Sequence, residues 1–256
     1  MKHLAVLAAL AVPLFAQIPA PNAQGVSMGH HHLIVTDVAA HKKIWVDVLG
    51  GQLSGNAPIE FVKFPGTFLI LTQGAPKGGS ENSAIDHFAF AVKDYNGTRD
   101  KLKAAGVEIV RDRQEGQREF VAMFPDGVKA EFYEDAALAT PLAHHHIHFS
   151  TNDPTGLRDW YVKMFGAEVK TEGTRTIVSI PGTMLSFRRV DTPAPPTQGR
   201  SLDHTGFNVK NVNEYCARLM GLGVACERPR GADTPIAMVT DPAGTSIELN
   251  QGLEAR

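Results

Sequence analysis

Four histidines in this chain of 256 residues recur at nearly equal distances. His30, His87, His146 and His204 are separated by 57, 59 and 58 residues, and each lies seven residues before an Asp or Asn. A fixed period of this kind indicates repeated supersecondary units. Neutral imidazoles are common ligands of transition metals, so the recurring histidine is also a candidate metal ligand.

Two glutamates obey the same spacing. Glu131 lies 44 residues after His87, and Glu248 lies 44 residues after His204. Two imidazoles and one carboxylate on one side of an ion leave coordination positions open for substrate, oxygen or water, and such a set suits Fe(II), Mn(II), Zn(II) or Ni(II). Polar residues satisfied within a core are the alternative, and two sets of three at matching spacing favour metal binding.

Each repeated unit has the same predicted order, βαβββ. The histidine segment alternates between apolar and polar residues, which predicts a strand. The Asp or Asn that ends it is a good helix N-cap, and glycines end the helix that follows. Three short strands then alternate with tight turns such as the PDG turn at residues 125–127. The chain is therefore predicted to be α+β, with four βαβββ modules.

The modules pair into a duplicated domain. Modules two and four share an Asp-bearing turn followed by the glutamate, and equivalent ligands in the two halves lie 116 or 117 residues apart. We predict a secretory signal at residues 1–20, a first domain over 27–136 and a second over 143–252. If the last strand of a module lies beside the first, Glu131 meets His87 and His30. The second set is then His146, His204 and Glu248.

These motifs together resemble the vicinal oxygen chelate superfamily. The pattern H-x-x-[LF]-x-V-x-D, a helix ending in LGG or FGA, and PDG-x-x-x-E are similar to those of glyoxalase I, bleomycin-binding proteins, fosfomycin-modifying thiol transferases and type I extradiol dioxygenases. The resemblance covers about residues 29–252. It implies two glyoxalase/dioxygenase-like domains with curled mixed sheets around metal-centred clefts, and it places the family's ligands on the same two sets of residues.

The resemblance also indicates which members of the family are less similar. The fourth-ligand position of glyoxalase I falls on Ile70 and Ser186, neither of which is a good ligand. Three ligands per domain resemble the extradiol dioxygenases and the fosfomycin enzymes instead. The tyrosine that the dioxygenases carry before the glutamate corresponds to Val121 and Met238 here.

Several further residues are candidates for catalysis or substrate binding. His32 and His148 share a strand face with the ligand histidines, so they are predicted either to move protons or to line the cleft. Tyr133 and Asn250 occupy matching positions next to the glutamates, where they can donate hydrogen bonds to a substrate. Arg188 is predicted to face the second cleft and to pair with a carboxylate or phosphate.

The leading functional hypothesis is a non-haem enzyme that uses a divalent metal, with Fe(II) favoured, and acts as a dioxygenase on a small catechol-like substrate. One alternative is a metal-dependent isomerase, lyase or transferase of glyoxalase type with Zn(II), Mn(II) or Ni(II). Another is a protein of the bleomycin-resistance type that only binds a small molecule.

Composition and the opening segment of the sequence support further predictions about partners and location. The formal charge of −2 with both signs scattered argues against a nucleic-acid partner. The opening MKHLAVLAALAVPLFAQ predicts export to a secreted or periplasmic location, with no membrane attachment after cleavage. Cys216 and Cys226 are predicted to be either a disulfide or two buried thiols. Both a monomer and a homodimer remain open.

Overall fold

The computed structural model describes residues 18–54, 59–228 and 235–253. Most of the predicted signal peptide, residues 1–17, lies outside this range. The strands are β1 (Val26–Val35), β2 (Gln52–Ser54), β3 (Ile59–Phe64) and β4 (Thr67–Gln73) in module one; β5 (Ile85–Val92), β6 (Glu108–Arg113), β7 (Glu119–Met123) and β8 (Lys129–Glu134) in module two; β9 (Leu142–Thr151), β10 (Glu168–Glu172), β11 (Arg175–Ile180) and β12 (Thr183–Arg189) in module three; and β13 (Leu202–Val209), β14 (Ile236–Thr240) and β15 (Ser246–Asn250) in module four.

One helix follows the first strand of each module, so the predicted α+β class and modular order are confirmed. The helices are α1 (Val38–Lys42), which continues as a π-helical segment over Lys43–Val48, α2 (Tyr95–Ala104), α3 (Pro154–Phe165) and α4 (Val212–Gly221). Within the described residues of module four, the second strand is reduced to a bridge between Glu227 and Met238.

The helices begin where the sequence predicts. The side chains of Asp37, Asp94, Asp153 and Asn211 each accept a hydrogen bond from a backbone N–H in the first turn of the following helix. This satisfies a donor that the helix itself leaves free. Helix α3 ends at Gly166, whose φ of +64° is the left-handed conformation that a glycine adopts without steric cost.

The strands form two open sheets, and each sheet combines modules from both halves of the chain. The seven-stranded sheet has the order β14-β15-β13-β1-β4-β3-β2, so it joins modules four and one. The eight-stranded sheet has the order β10-β11-β12-β9-β5-β8-β7-β6, so it joins modules three and two. At the centre of each sheet, the first strands of two modules pair antiparallel, β1 with β13 and β5 with β9.

Helix packing, by contrast, joins the modules within one half. Trp45, which follows α1, stacks on Phe124 of module two with ring centroids 4.1 Å apart. Phe165 of α3 lies 5.0 Å from Phe207 of module four. All four rings are buried, and burial of a large apolar side chain stabilises a fold by roughly 1.5–3 kcal/mol. The halves are thus held together internally by helices and to each other by sheets.

The Asp-bearing turns of modules two and four reinforce this packing. Asp126 accepts hydrogen bonds from the backbone of Thr36 (2.9 Å) and from His41 Nε2 (3.2 Å), both in module one. In the second half Tyr161 of α3 donates a hydrogen bond of 3.0 Å to Asp241. Burial raises the pKa of Asp241 to about 6, so the Tyr161 hydroxyl stabilises a carboxylate that has little other access to solvent.

A disulfide links Cys216 of α4 to Cys226, with the two Cα atoms 5.6 Å apart, which settles the choice that the sequence left open. It connects the middle of α4 to the segment that leads to Glu227. None of the helices in the described part of the chain combines the length and hydropathy of a membrane-crossing span.

We expect Tyr161→Phe to lower the free energy of unfolding by about 1–3 kcal/mol, because it removes a donor from a buried carboxylate. Burial holds the pKa of Asp241 near 6 in the folded protein, above the ordinary 3.8. The stability that this group contributes is therefore present at low pH and is lost as the pH rises through about 6.

The cost of Tyr161→Phe should accordingly be largest above about pH 6, where the carboxylate is charged, and smaller at lower pH. Urea denaturation above pH 6 and well below it measures this loss of unfolding free energy. The same substitution in an Asp241→Asn background is the control and should cost little. An equal cost in both backgrounds would contradict the role assigned to this hydrogen bond.

Candidate metal centres

Two clusters of histidine and glutamate lie on the sheets, one on each sheet. Site A consists of His30, His32, His204 and Glu248, on β1, β13 and β15 of the seven-stranded sheet. Site B consists of His146, His148, His87 and Glu131, on β9, β5 and β8 of the eight-stranded sheet. Each of the six predicted ligands therefore lies in one of the two clusters.

The grouping that the sequence suggested is wrong in one respect. Glu131 Oε2 lies 2.9 Å from His87 Nε2, as expected, but its other predicted neighbour His30 is on the opposite sheet. The partner that takes its place is His146, whose Nε2 is 4.0 Å from the same oxygen. The equal spacing of the repeats fits either grouping, because it does not say which half provides the antiparallel neighbour.

Site A shows the same exchange. Glu248 lies 3.5 Å from His204 Nε2 and 3.8 Å from His30 Nε2, whereas His146 belongs to site B. Each site thus takes one histidine from an odd module in one half of the chain, and one histidine with the glutamate from an even module in the other half. The binding of one ion would depend on both halves.

The two sites share one strand register. In site A, His30 is opposite Gly206, and Gly206 is beside Glu248 on the parallel strand. In site B, His146 is opposite Ala89, and Ala89 is beside Glu131. The extra histidines also correspond, since His32 is opposite His204 and His148 is opposite His87.

A β-bulge precedes the odd-module histidine in both sites. The register shifts between Met28 and His30 on β1, which leaves Gly29 without a partner. A Cβ at Gly29 would lie 2.9 Å from the carbonyl oxygen of Gly206, so glycine is required there. On β9 the unpaired residue is His145. Bulges change the direction of side chains, and here the bulge lets His145 and His146 both reach the same cleft.

His145 was not among the residues predicted for the site. Strict alternation along β9 would place His145 on the opposite face of the sheet from His146. The bulge turns its side chain to the same face. Its ring centroid lies 4.1 Å from that of Tyr133, and its Nδ1 is 2.7 Å from Nδ1 of His146. Burial lowers the pKa of His145 to about 4, so it is neutral at physiological pH.

Asp86 and Asp203 were also missed, and each orients a candidate ligand. His87 Nδ1 donates to Asp86 over 2.5 Å, and His204 Nδ1 donates to Asp203 over 2.5 Å. A carboxylate on one ring nitrogen fixes the tautomer and directs the other nitrogen at a metal. The signal was present in the sequence, because both even modules carry the dipeptide Asp-His at the same place.

These carboxylates govern the charge of the two even-module histidines. Burial lowers the pKa of His87, but hydrogen bonds to Asp86 and Glu131 outweigh it, so the pKa is raised. For His204 the same balance, with Asp203 and Glu248, raises the pKa to about 9. Lys129 Nζ lies 2.8 Å from Asp86 and helps to keep that carboxylate ionised.

The odd-module histidines are kept neutral instead. Burial, together with neighbouring imidazoles, lowers the pKa of His30 to about 4 and that of His146 to about 2. The pKa of His32 falls to about 3 and that of His148 to about 4, again chiefly through burial. Burial likewise opposes ionisation of Glu248, yet the nearby histidines lower its pKa to about 2. Neutral imidazole and ionised carboxylate are the forms that ligate metals.

The buried polar atoms of site A that lack hydrogen-bond partners are suited to bind a cation. Both ring nitrogens of His30 and Nε2 of His204 are buried and have no hydrogen-bond partner among the described residues. Buried polar atoms are rarely left in this state, because each costs roughly 1–3 kcal/mol. In site B the donor atoms of all four residues lie within 4.8 Å of one another. Both donor sets therefore suit a divalent ion.

The other predicted residues lie close to these clusters. His32 Nε2 is 2.8 Å from the Thr72 hydroxyl, and His148 stacks on His87 with centroids 4.3 Å apart. The side chain of Asn250 is buried near site A without a hydrogen-bond partner in the described part of the chain. Arg188 binds the Ser150 hydroxyl and lies 3.6 Å from Asp86, at the edge of site B.

Site B forms the floor of a cavity of about 760 Å³, a size that suits a small molecule. The cavity lies between β6 and β7 on one side and β11 and β12 on the other. Its lining residues are Arg111, Arg113, Gln117, Glu119, Glu131, Tyr133, His145, His146, His148, Arg175, Thr176, Ile177, Val178, Met184, Leu185 and Ser186. A second opening of about 300 Å³ reaches His87 and Arg188.

Comparison with known proteins agrees with this architecture. The model of the Glyoxalase/Bleomycin resistance protein/Dioxygenase superfamily matches residues 27–132 and 143–249. Glyoxalase I from Zea mays has a similar structure, with 19% identity, a TM-score of 0.71, and coverage of 90% of this chain and 94% of that one. A putative dioxygenase from Bacillus subtilis has 13% identity, a TM-score of 0.67, and coverage of 92% and 86%. A comparison with curated protein sequences gave no match.

Because each site spans both halves, we expect His30→Ala and His204→Ala to remove the same equivalent of metal. The double variant should lose no more than either single variant, whereas His30→Ala combined with His87→Ala should lose both equivalents. Elemental mass spectrometry of zinc-reconstituted protein measures this. Additive loss from His30→Ala and His204→Ala would contradict the grouping.

We further expect Asp203→Asn to weaken metal binding at site A by about 10- to 100-fold, because the His204 ring loses the carboxylate that orients it. Competition with a chromophoric chelator measures the affinity, in a His146→Ala background that leaves site A alone. The exposed Asp191→Asn is the control and should have no effect. Unchanged affinity in Asp203→Asn would show that His204 needs no such support.

Proposed function

Since the chain belongs to the Glyoxalase/Bleomycin resistance protein/Dioxygenase superfamily, we propose that it is an exported metal-dependent enzyme of small-molecule metabolism. Its substrate would bind the ion through two neighbouring oxygens, as a catechol does. Fe(II) is the favoured metal and dioxygenase-like oxidation the favoured reaction. The observation that carries the proposal is the set of His87, His146 and Glu131, of which His146 and Glu131 line an open cavity and His87 lines the second opening.

Two histidines and one carboxylate are the ligand set of non-haem Fe(II) oxygenases, in which the iron supplies activation of oxygen. Here His87, His146 and Glu131 would hold the ion in site B, and His30, His204 and Glu248 would hold it in site A. Asp86 fixes the tautomer of His87 so that Nε2 faces the ion. The second opening allows a small co-substrate to approach His87 from the side of Arg188.

Proton transfer in site B is assigned to His148. Burial lowers its pKa to about 4, so at neutral pH it can accept a proton from a substrate hydroxyl. Tyr133 is suited to the opposite role, because burial raises its pKa to about 12 and the phenol stays a hydrogen-bond donor. His32 and Asn250 hold the corresponding positions in site A, and Arg188 would hold a substrate oxyanion near Asp86.

A second reaction class is favoured by one feature of site B. The donor atom of His148 lies within the same 4.8 Å as those of the other three residues, so it can also serve as a fourth ligand. A four-ligand set with Zn(II), Mn(II) or Ni(II) suits isomerase, lyase or transferase chemistry in which the ion polarises a carbonyl and oxygen is not consumed.

Export is supported by the opening segment of the sequence and by the disulfide. A bond between Cys216 and Cys226 is stable in oxidising compartments and is rare in the reducing cytosol. A secreted or periplasmic location is consistent with both.

We expect anaerobically Fe(II)-loaded protein to consume oxygen with at least one member of a catechol panel. His146→Ala should abolish the uptake assigned to site B, and His148→Ala should lower kcat by about 10²- to 10⁴-fold at unchanged metal content if His148 moves protons. An oxygen electrode and elemental mass spectrometry measure the two quantities.

Other outcomes point to the alternatives. Loss of metal in His148→Ala would make that residue a ligand. Turnover with zinc, manganese or nickel and without oxygen would replace the dioxygenase by the second class. Small-molecule binding that persists after complete removal of the metal, with no turnover with any metal, would contradict both enzyme classes. The protein would then be a small-molecule binding protein.

A further inference from the structure

Three arginines surround the mouth of the cavity above site B. Arg111 and Arg113 lie on β6, and both bind the same carboxylate, Glu119, over 3.1 Å and 2.8 Å. Two guanidinium groups that share one carboxylate keep a net positive charge. Arg111 also lies 3.8 Å from Glu131, so its charge lies close to the candidate ligands of site B.

Arg175 faces them from the opposite wall, at the start of β11. Among the described residues, no carboxylate lies within ion-pair distance of Arg175. Its side chain lines the same cavity as His145 and His146. An exposed guanidinium without a partner, at the edge of a cavity, is available to a ligand.

The wall between Arg175 and the metal cluster is apolar. Ile177 and Met184 are half-buried and line the cavity, and Met184 is the register partner of His146 on the adjacent strand. From the floor outward the cavity therefore has a candidate metal site, then an apolar surface, then a cation. This order matches a molecule with two neighbouring oxygens, an apolar body and an acidic group at the far end.

The matching wall of site A is different. Residues 116 positions earlier occupy the same register, and there Met184 is replaced by Phe68 and Ser186 by Ile70. The place of Arg175 is held by an isoleucine, at position 59. Phe68 meets Phe61 edge to face, with centroids 6.4 Å apart. The wall of site A therefore differs from that of site B in these residues, and Lys63 Nζ lies 5.6 Å from the centroid of the Phe68 ring.

We propose that site B selects a substrate that carries an oxyanion, a carboxylate or a phosphoryl group, opposite its metal-binding oxygens, and that Arg175 holds this group. The inference rests on the proposed function, since it takes the metal-bound oxygens from it. A guanidinium binds either oxyanion through two parallel hydrogen bonds.

The test uses the mature, zinc-loaded protein, in which no oxygen-dependent turnover occurs, and isothermal titration calorimetry. One pair of probes is 3,4-dihydroxybenzoate and 4-methylcatechol, which differ in a carboxylate against a methyl group. We expect the acid to bind at least tenfold more tightly, in a manner weakened by salt. Arg175→Gln should remove most of this preference, and Arg175→Lys should restore part of it.

Two controls isolate the effect. Arg189→Gln changes an exposed arginine at the end of the neighbouring strand β12 that does not line the cavity, and it should leave the preference unchanged. His30→Ala, which disables site A, should also leave it unchanged. A preference lost in His30→Ala and kept in Arg175→Gln would assign the oxyanion to site A and overturn the proposal.

A second set of probes separates this inference from the proposed function. Benzoate, phenylphosphonate and benzamide lack the pair of neighbouring oxygens. Because an oxyanion can also bind zinc, the part of their binding that is lost in Arg175→Gln, which leaves the zinc in place, reports on the arginine. Suppose that neither catechol binds, but that one of the anions binds and this binding is lost in Arg175→Gln. The proposal of a catechol-like substrate is then wrong, and the oxyanion site stands. Whichever of benzoate and phenylphosphonate binds more tightly identifies the oxyanion as a carboxylate or a phosphoryl group. Equal binding of charged and neutral probes in both sets would overturn the inference.

Discussion

The antiparallel pairing of β1 with β13 and of β5 with β9 positions all six candidate ligands. Each pairing brings a histidine of one half against a strand of the other half, and the parallel strand beside it adds the glutamate. A slip of one residue would turn every side chain of a strand to the other face. The chemistry therefore depends on register, and register is held by apolar residues such as Phe88 and Phe207 that must face the helices.

Burial of so many polar groups needs compensation. His30 and His204 are almost inaccessible, and their free ring nitrogens have no protein partner in the described residues. A core assembled only for stability would place apolar side chains at these positions. Asp203 holds His204 through one nitrogen and leaves the other directed at Glu248, an arrangement that an ion would complete. Metal binding would offset the unfavourable free energy of burying these unpaired polar atoms.

The sequence alone was sufficient for the modules, the capping residues and the histidines and glutamates that gather in the two clusters, because each has a local signal. Spacing revealed the repeat, and Asp37 or Asp153 as an N-cap follows from backbone chemistry. The partner of Glu131 could not be read in the same way, since the choice between His30 and His146 is made by long-range strand pairing. His145 was hidden by a bulge that interrupts the two-residue period.

Asp86 and Asp203 were open to prediction, because a carboxylate next to a ligand histidine is a known means of orienting it. Arg175 was not, since nothing in a short exposed strand distinguishes one arginine from another until the opposite wall is in place. The same comparison explains how the two sites can differ. Metal geometry depends on the central strands, which keep an identical register in both sheets, whereas the walls come from outer strands that contribute no predicted ligand. Phe68 and Met184, on β4 and β12, can therefore differ without changing the candidate ligands. A duplicated fold of this kind can keep the same set of candidate ligands in both sheets while the residues around them differ.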